Sequence, residues 1–255
     1  MVKKILITGV SGLVGGILIE HLLKNPNYDI YGIDKHIGLS IRYQIENIQT
    51  SKEQQPILPS KEKFYICDIT DRDKLLHIIV DNQINIIIHL AAVLEMETVD
   101  KINRVNCDEN EPYSLLAKNI KPLQSLKKIT INDSPIPNRK DPLREAYSIS
   151  KIYGEALARQ YSLAPTNKVK FVSARLGTIN TIDDMEYYSF NWVIKSIYCS
   201  YRDLCQFIDR VLENQSRLKN FQIYFVLSNN DYCWVDMDNG REDLNYMPQD
   251  GARWN

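Results

Sequence analysis

The sequence predicts an α/β protein built on a doubly wound parallel sheet. Over the first 175 residues, short runs rich in β-branched residues alternate with segments that repeat apolar residues at helical spacing. The run Ile86–Ile88 is apolar throughout, as expected for a strand of a parallel sheet that is buried on both faces. Alternating strands and helices build such a sheet through right-handed crossovers, so this order indicates the α/β class.

The predicted elements follow from these patterns and divide the chain in two. Strands are predicted at Lys4–Thr8, Asp29–Asp34, Lys63–Cys67, Ile84–Leu90, Lys127–Asn132 and Val169–Ala174. Helices are predicted at Leu13–Leu23, Asp71–Val80, Asp100–Asn119 and Arg144–Tyr161. Beyond Arg175 the alternation fades, leaving a helix at Arg202–Leu212 and a strand at Phe221–Phe225. We therefore expect one domain over residues 1–175 and a smaller lobe, packed on it, over residues 176–255.

Composition argues against several classes of protein. The chain has 255 residues, with 31 Lys and Arg against 32 Asp and Glu, so it lacks the basic excess of a nucleic-acid-binding protein. Its five cysteines form no Cys-x-x-Cys pair and its four histidines no metal-binding spacing, so we expect reduced thiols, a cytoplasmic location and no metal. No apolar run is long enough to span a bilayer, so no membrane partner is expected. An N-terminal signal peptide is a weaker alternative, because glycines interrupt that apolar run.

Glycines are concentrated at the N-terminus, where six of the ten fall within the first 38 residues. Gly9, Gly12 and Gly15 follow the first predicted strand and open the first predicted helix. This spacing allows a tight turn, close approach of the backbone to a pyrophosphate, and binding of the anion by the helix N-terminus, as in a Rossmann-type domain. The alternative is a tight turn without a ligand. Contacts to a dinucleotide cofactor are predicted from Gly9, Ser11, Gly12, Leu13, Val14 and Gly15.

Asp34 ends the second predicted strand, where a carboxylate accepts hydrogen bonds from the ribose of an adenosine. The 2′-phosphate of NADP would be repelled at that position, so the sequence favours NAD. Lys35 and His36 follow directly and would weaken this preference. The alternative for Asp34 is a solvated residue at the end of a strand.

Tyr147 and Lys151 are four residues apart on a predicted helix and therefore share one face of it. Tyrosine, with an ordinary pKa near 10, is a poor base at neutral pH, but an adjacent ammonium favours the phenolate. Tyr147 could then remove a proton from a substrate hydroxyl. A second pair, Tyr31 and Lys35, lies on a predicted strand, where residues at this spacing are about 13 Å apart. Taken alone, the first pair is equally compatible with a solvated helix face.

Five motifs together indicate a family. They are Thr8-Gly9-x-x-Gly12-x-x-Gly15, Cys67-Asp68-Ile69, His89-Leu90-Ala91-Ala92, Val105-Asn106, and the pair of Tyr147 and Lys151. In this combination the chain resembles the extended branch of the short-chain dehydrogenase/reductase superfamily, the NAD-dependent epimerase/dehydratase family. The resemblance implies a Rossmann-type NAD-binding domain over residues 1–175 and a substrate-binding lobe over residues 176–255.

The resemblance also implies a role for each matching residue. NAD would contact the glycine turn, Asp34 and Lys35, and further Asp68, Ile69, Leu90, Ala91, Ala92, Asn106, Tyr147 and Lys151. The catalytic serine, tyrosine and lysine of the family correspond to Ser134, Tyr147 and Lys151. Two features depart from the family here: the segment between Ser134 and Tyr147 is shorter, and Asp133 replaces a small neutral residue.

The C-terminal part is similar to uronate dehydrogenases and related sugar-acting members. The resemblance lies in residues 201–204, 228–234 and 244–250. Such enzymes are expected to hold the substrate carboxylate with an arginine in the lower lobe. No arginine lies between Arg175 and Arg202, so Lys195 or Arg202 would have to serve.

The leading hypothesis is an NAD-dependent oxidoreductase that acts on a small sugar or sugar acid, with Tyr147 as base. A nucleotide-sugar epimerase or dehydratase with tightly bound NAD is the first alternative, although the lobe after Arg175 is short for a nucleotide sugar. A catalytically weak NAD-binding regulatory protein is the second alternative. Apolar residues beyond one face of the helix Arg144–Tyr161 are typical of a homodimer interface, and equally of a core helix.

Overall fold

The structure is a computed structural model that describes residues 2–36, 57–92, 128–135, 142–188 and 192–254, with residues 142–145 and 188 described by their backbone alone. Two compact units divide the chain, Met1–Met96 and Glu97–Asn255, and each is described by itself. The predicted helix Asp100–Asn119 and the predicted cofactor contact Asn106 lie outside the described residues.

The first unit contains a four-stranded parallel sheet. Its elements are β1 (Lys3–Thr8), α1 (Leu13–Leu22), β2 (Tyr28–Asp34), a 3₁₀ turn (Lys61–Lys63), β3 (Phe64–Ile66), α2 (Arg72–Asp81) and β4 (Ile86–His89). The strand order is β3-β2-β1-β4, and every pairing is parallel. This arrangement confirms the predicted α/β class and its parallel sheet.

The core of this unit is apolar and lies against the sheet. Leu6 of β1 and Tyr31 and Ile33 of β2 pack with Cys67 and with Ile78 of α2. Helix α1 is buried on nearly all sides, which explains why its sequence is apolar beyond one stripe. The N-terminal apolar run is therefore a strand followed by a core helix.

The expectation that the run Ile86–Ile88 is buried on both faces is wrong. Burial alternates along β4, and Ile87 is 49% exposed. Ile87 is the register partner of Leu6, but the cluster that α2 forms with Leu6 does not include it. The apolar residue at this position therefore predicts the strand correctly, but not its burial.

The second unit contains a helix, a pair of parallel strands and a helical C-terminal part. Its elements are α3 (Pro142–Ser162), β5 (Phe171–Leu176), a 3₁₀ turn (Met185–Tyr188), α4 (Trp192–Lys195), α5 (Tyr201–Glu213), β6 (Phe221–Val226) and α6 (Asp238–Leu244). Strands β5 and β6 pair in parallel from Phe171 with Phe221 to Leu176 with Val226. The predicted boundary after residue 175 falls within β5, and the division of the chain at that point stays a prediction.

The strand predicted at Lys127–Asn132 is wrong for the part that the structure describes. There, only an isolated parallel bridge joins Ile129 to Val235. The chain turns immediately afterwards, because the carboxylate of Asp133 accepts hydrogen bonds from the N–H and hydroxyl of Thr130 at 2.8 and 2.9 Å. A side chain that bonds to the nearby backbone competes in this way with a strand.

The C-terminal residues are held by α5 and β6. Phe207 of α5 packs edge-to-face against Tyr224 and Tyr246, with ring centroids 5.9 and 5.5 Å away. The buried carboxylate of Asp203 accepts the hydroxyl of Ser228 at 2.6 Å and the N–H of Gln249 at 2.7 Å. These bonds satisfy a buried charge and fix the chain end to the start of α5. Among the described residues, no helix is both long and apolar enough to cross a membrane.

Candidate functional site

The predicted glycine turn connects β1 to α1. Gly9 has a φ of +71°, and its carbonyl accepts the N–H of Gly12 at 3.1 Å. A Cβ at Gly9 would lie 2.8 Å from both Cα and N of Ala91. At this position the turn therefore requires a residue without a side chain.

Gly15 brings helix α1 against the same turn. A Cβ at Gly15 would lie 2.5 Å from the carbonyl oxygen of Gly9 and 2.7 Å from Cα of Val10. Gly12 precedes the helix without a side-chain cap, and the first turn carries no acidic residue. The N–H groups at the start of α1 thus face no charged group of their own helix, as an anion site requires.

Ser11 is the polar side chain of this turn, and it is 1% exposed. Its hydroxyl oxygen has no hydrogen-bond partner within the part of the chain that the structure describes. A buried hydroxyl without a partner costs free energy, so such a group commonly marks a ligand or an ordered water. Together with the N–H groups of α1, this hydroxyl makes a donor set that fits a pyrophosphate.

Asp34, at the end of β2, is bonded to the glycine turn. Its Oδ2 accepts the N–H of Ser11 at 2.9 Å, and its Oδ1 accepts the N–H of Lys35 at 2.8 Å. Strand order explains this contact, because the carboxyl ends of β1 and β2 lie side by side at one edge of the sheet. The carboxylate is thereby fixed next to the turn that the sequence predicts to bind a dinucleotide.

Asp68 follows β3 and forms an ion pair with Lys35. The Lys35 Nζ lies 2.9 Å from Oδ2 of Asp68. The other oxygen, Oδ1, accepts the N–H of Thr70 at 2.9 Å and its hydroxyl at 2.8 Å. The backbone bond from Thr70, followed by the bond from Lys35, lowers the pKa of Asp68 to about 2. Asp68 is therefore a carboxylate throughout the neutral pH range.

The end of β4 completes this edge of the sheet. The Thr8 hydroxyl oxygen lies 2.8 Å from Nδ1 of His89 and accepts the N–H groups of Leu90 and Ala91, both at 3.3 Å. These bonds hold the residues that follow β4 against Gly9. The structure thus brings together the predicted cofactor residues after β1, β2 and β4, with Asp68 joined through Lys35. Two further predicted contacts, Ile69 and Ala92, directly follow Asp68 and Ala91 in the chain. Ile69 is half-buried and Ala92 is exposed.

The second unit carries the predicted catalytic pair on α3. Lys151 Nζ lies 5.4 Å from the centroid of the Tyr147 ring, within the range of a cation–π contact. Desolvation lowers the pKa of the Lys151 ammonium from its ordinary value. Residues four apart on a helix lie on one face, and the described geometry fulfils that expectation for this pair.

The remaining predicted catalytic residue, Ser134, is exposed and directly follows the turn at residues 130–133. The structure gives the carboxylate of Asp133 a role within that turn, because it bonds to Thr130. The assignment of Ser134 as the catalytic serine stays a prediction.

Sequence reasoning missed the ion pair that fixes α3. Glu155 accepts hydrogen bonds from Nη2 of Arg175 at 2.7 Å, from Nε of Arg175 at 3.1 Å and from the hydroxyl of Ser173 at 2.9 Å. The side chains of Glu155 and Arg175 are only 18 and 21% exposed. The pair joins the helix that carries Tyr147 to strand β5. No local pattern predicts it, since the partners are twenty residues apart in different elements.

The two cations considered for a substrate carboxylate are also paired. Lys195 Nζ lies 2.8 Å from both carboxylate oxygens of Glu186. Arg202 donates to Asp250 through Nε at 3.0 Å and also through Nη2. Within the described ranges, no group of three or more His, Cys, Asp or Glu side chains could hold a metal ion.

Comparison with known proteins gives a family-model match over part of the chain and a fold shared with solved structures. Residues 6–100 match the family model described as GDP-mannose 4,6 dehydratase. The predicted resemblance to the extended short-chain dehydrogenase/reductases is confirmed. A relative among curated proteins is the uncharacterized protein YtbQ of Bacillus subtilis (strain 168). It is 23% identical over 259 residues, which cover 97% of this chain and 94% of that protein.

Solved structures share the fold over nearly the whole chain. Uronate dehydrogenase from Agrobacterium tumefaciens, as a mutant complexed with NAD, is 18% identical with a TM-score of 0.61, covering 99% of this chain and 86% of that one. UDP-glucuronic acid 4-epimerase from Bacillus cereus, in complex with NAD, is 16% identical with a TM-score of 0.57, covering 97% of this chain and 94% of that one. The structure of dTDP-glucose 4,6-dehydratase from Bacillus anthracis str. Ames, in complex with NAD, is 14% identical with a TM-score of 0.58. It covers 98% of this chain and 92% of that one. The Rossmann-type fold is confirmed.

Proposed function

We propose that the chain is an NAD-dependent oxidoreductase that acts on a sugar or sugar acid. The observation that carries this proposal is the placement of Lys151 against the ring of Tyr147 on α3, since a lysine ammonium beside a tyrosine favours the phenolate that can take a proton from a hydroxyl. The glycine turn, with the buried hydroxyl of Ser11, supports a dinucleotide as the partner of that chemistry. Similar structures in complex with NAD support the choice of nucleotide.

The residues at the edge of the first sheet fit the parts of NAD. The pyrophosphate would be held by the N–H groups at Leu13 and Val14 and by the hydroxyl of Ser11, close to the backbone of Gly12. The adenosine ribose would be held by Asp34, which keeps lone pairs for its hydroxyls. The other proposed contacts are Gly9, Gly15, Lys35, Asp68, Ile69, Leu90, Ala91, Ala92 and Asn106. When bound, NAD supplies the hydride-accepting group of the reaction.

Residues of the chain itself would carry out the proton transfer. The phenolate of Tyr147 removes the proton of the substrate hydroxyl as the carbonyl forms. The ammonium of Lys151 favours that phenolate, and its partial desolvation strengthens the electrostatic effect. Ser134 is proposed to donate a hydrogen bond to the same substrate oxygen.

The pairing of the two predicted cations bears on the substrate. A substrate carboxylate would have to displace Glu186 from Lys195 or Asp250 from Arg202, and either exchange exposes a carboxylate that is now paired. This favours an uncharged sugar over a uronic acid among the described contacts.

A nucleotide-sugar epimerase or dehydratase remains the alternative, supported by the epimerase and the dehydratase named above as similar structures. It would use the same first step and return the hydride within one catalytic cycle. Net formation of NADH therefore separates the two functions. A regulatory protein that binds NAD without catalysis is the third candidate, supported only by the altered segment around Ser134.

We also propose that the protein is a homodimer through helix α3. Ile149, Tyr153, Leu157 and Tyr161 recur every four residues along this helix and are between 37 and 64% exposed. Four large apolar side chains in one stripe form a contiguous surface that a second copy of the chain could cover.

The functional test is NADH formation from NAD with a panel of aldoses and uronic acids. The proposal predicts net NADH absorbance with at least one sugar, and a faster rate with an uncharged aldose than with the corresponding uronic acid. Interconversion of nucleotide sugars without net NADH would identify the epimerase alternative. Binding of NAD without turnover of any sugar would overturn the enzymatic proposal and favour the regulatory protein.

A further inference from the structure

The ion pair between Lys35 and Asp68 lies next to the carboxylate proposed to bind the adenosine ribose. Lys35 directly follows Asp34, and its backbone N–H donates to Oδ1 of Asp34 at 2.8 Å. Its ammonium reaches across to the loop after β3, where it lies 2.9 Å from Oδ2 of Asp68. The cation nearest in sequence to Asp34 is thus held by a second carboxylate.

We infer that Asp68 determines specificity for NAD over NADP by holding the ammonium of Lys35 away from the 2′-phosphate that distinguishes the two nucleotides. The inference rests on the proposed function, since it assumes that Asp34 binds the adenosine ribose. It adds a second specificity residue, one strand away from the first.

The electrostatic reason is the balance of charge around the ribose. A 2′-phosphate next to Asp34 brings two like-charged groups together, and a lysine ammonium could offset that repulsion. Lys35 is adjacent and long enough, but its charge is already neutralised. Its transfer to the phosphate would leave Asp68 without its cation.

The position of Asp68 is fixed independently of Lys35. Its Oδ1 accepts both the N–H and the hydroxyl of Thr70, at 2.9 and 2.8 Å. Because two donors hold one oxygen, the other oxygen stays directed at the ammonium and the carboxylate cannot follow Lys35 toward a ligand. The low pKa of Asp68 agrees with this, because the pair persists over the whole neutral range.

The test compares the dissociation constants of NAD and NADP, measured by isothermal titration calorimetry with four proteins: the wild type, Asp68→Asn, Lys35→Met and the double variant. Asparagine keeps the acceptor for Thr70 but releases the ammonium of Lys35. Asp68→Asn is expected to lower the ratio of the NADP constant to the NAD constant about fivefold, the scale of one exposed charge pair. In the Lys35→Met background the same substitution is expected to leave the ratio within about twofold.

Asp73→Asn is the matched control, because it removes a carboxylate from the first turn of α2 without touching Lys35. Asp73→Asn should change the ratio of the two dissociation constants by no more than about twofold, the limit expected for Asp68→Asn in the Lys35→Met background. An unchanged ratio in Asp68→Asn, or an equal decrease with and without Lys35, would overturn the inference while leaving the proposed function intact. Failure of the wild type to bind NAD would overturn the proposed function, and this inference with it.

Discussion

Gly9 is the residue on which the geometry of the dinucleotide turn depends most directly. Its positive φ and its approach to the backbone of Ala91 are separate constraints, and both exclude a side chain. The contact also joins the turn after β1 to the residues that follow β4. A change at this one residue should therefore disturb two segments proposed to bind the cofactor.

Gly9→Ala should lower the free energy of unfolding by about 3 kcal/mol, because a methyl group adds strain at positive φ and overlaps with Ala91. Gly154→Ala is the matched control, since this glycine lies within α3 and its Cβ would have no neighbour within 4 Å. There the alanine should stabilise the helix by about 1 kcal/mol. Urea unfolding measures both effects, and equal changes at the two glycines would refute the explanation.

Lys151 is expected to act on the reaction through Tyr147. In Lys151→Met the ammonium is lost, so the pKa of the base rises and less phenolate is present at neutral pH. The rate at neutral pH should fall about 100-fold, within the range for general base catalysis. The rising limb of the plot of kcat/KM against pH should move to higher pH. A lower rate with an unmoved limb would show that Lys151 only supports the fold.

Helix α3 is fixed to strand β5 about two turns beyond Tyr147, the proposed base. Glu155 is the anchor, because it accepts both nitrogens of Arg175 and the hydroxyl of Ser173. The guanidinium also lies 5.5 Å from the ring of Phe225 on β6. The carboxylate thus joins the helix to β5, and the guanidinium that it binds contacts β6. The direction of the helix determines where Tyr147 lies.

Glu155→Gln should lower the free energy of unfolding by about 2 kcal/mol, because the half-buried guanidinium of Arg175 loses its counter-charge. The control is Glu213→Gln, which removes an exposed partner of Arg210 on α5. That change should cost less than about 0.5 kcal/mol. Urea unfolding of the two variants measures both losses of stability. A loss in Glu155→Gln no larger than the loss in Glu213→Gln would contradict the role of Glu155 in fixing α3.

Strands and helices could be predicted from the sequence wherever a repeat of apolar residues within the segment itself defines them. Strand β1 was predicted at Lys4–Thr8 and found at Lys3–Thr8, and α5 was predicted at Arg202–Leu212 and found at Tyr201–Glu213. The strand predicted at Lys127–Asn132 was wrong because a side-chain bond closes a turn there, and composition alone does not reveal that bond. Short elements such as α4 (Trp192–Lys195) are defined by tertiary packing rather than by their own sequence.

At the scale of the whole molecule, the candidate site was predictable in its motifs but not in its connections. The glycine turn and the pair on α3 each lie within one local segment, so spacing was sufficient to find them. The chain of contacts from Ser11 through Asp34 and Lys35 to Asp68 joins the ends of three strands. Such contacts depend on strand order, which a single sequence gives only through the fold class.

The proposed homodimer is tested by its apolar stripe. Leu157→Glu should raise the dimer dissociation constant at least about tenfold, because the introduced carboxylate would be buried without a partner. Arg159→Glu is the control, since this exposed residue lies on the same helix but away from the stripe. Light scattering during gel filtration reports the mass of each variant. A wild type that is monomeric at high concentration would refute the proposal.

The proposed chemistry depends on Tyr147, which would remove a proton during NAD-dependent oxidation of a sugar. Its most direct test is NADH formation by wild type, Tyr147→Phe and the control Tyr153→Phe, with the best sugar from the panel and with NAD binding measured in parallel. Tyr147→Phe should lose at least about 100-fold in rate while it binds NAD as the wild type does, and Tyr153→Phe should keep its rate. Equal rates in Tyr147→Phe and wild type would contradict this role of Tyr147.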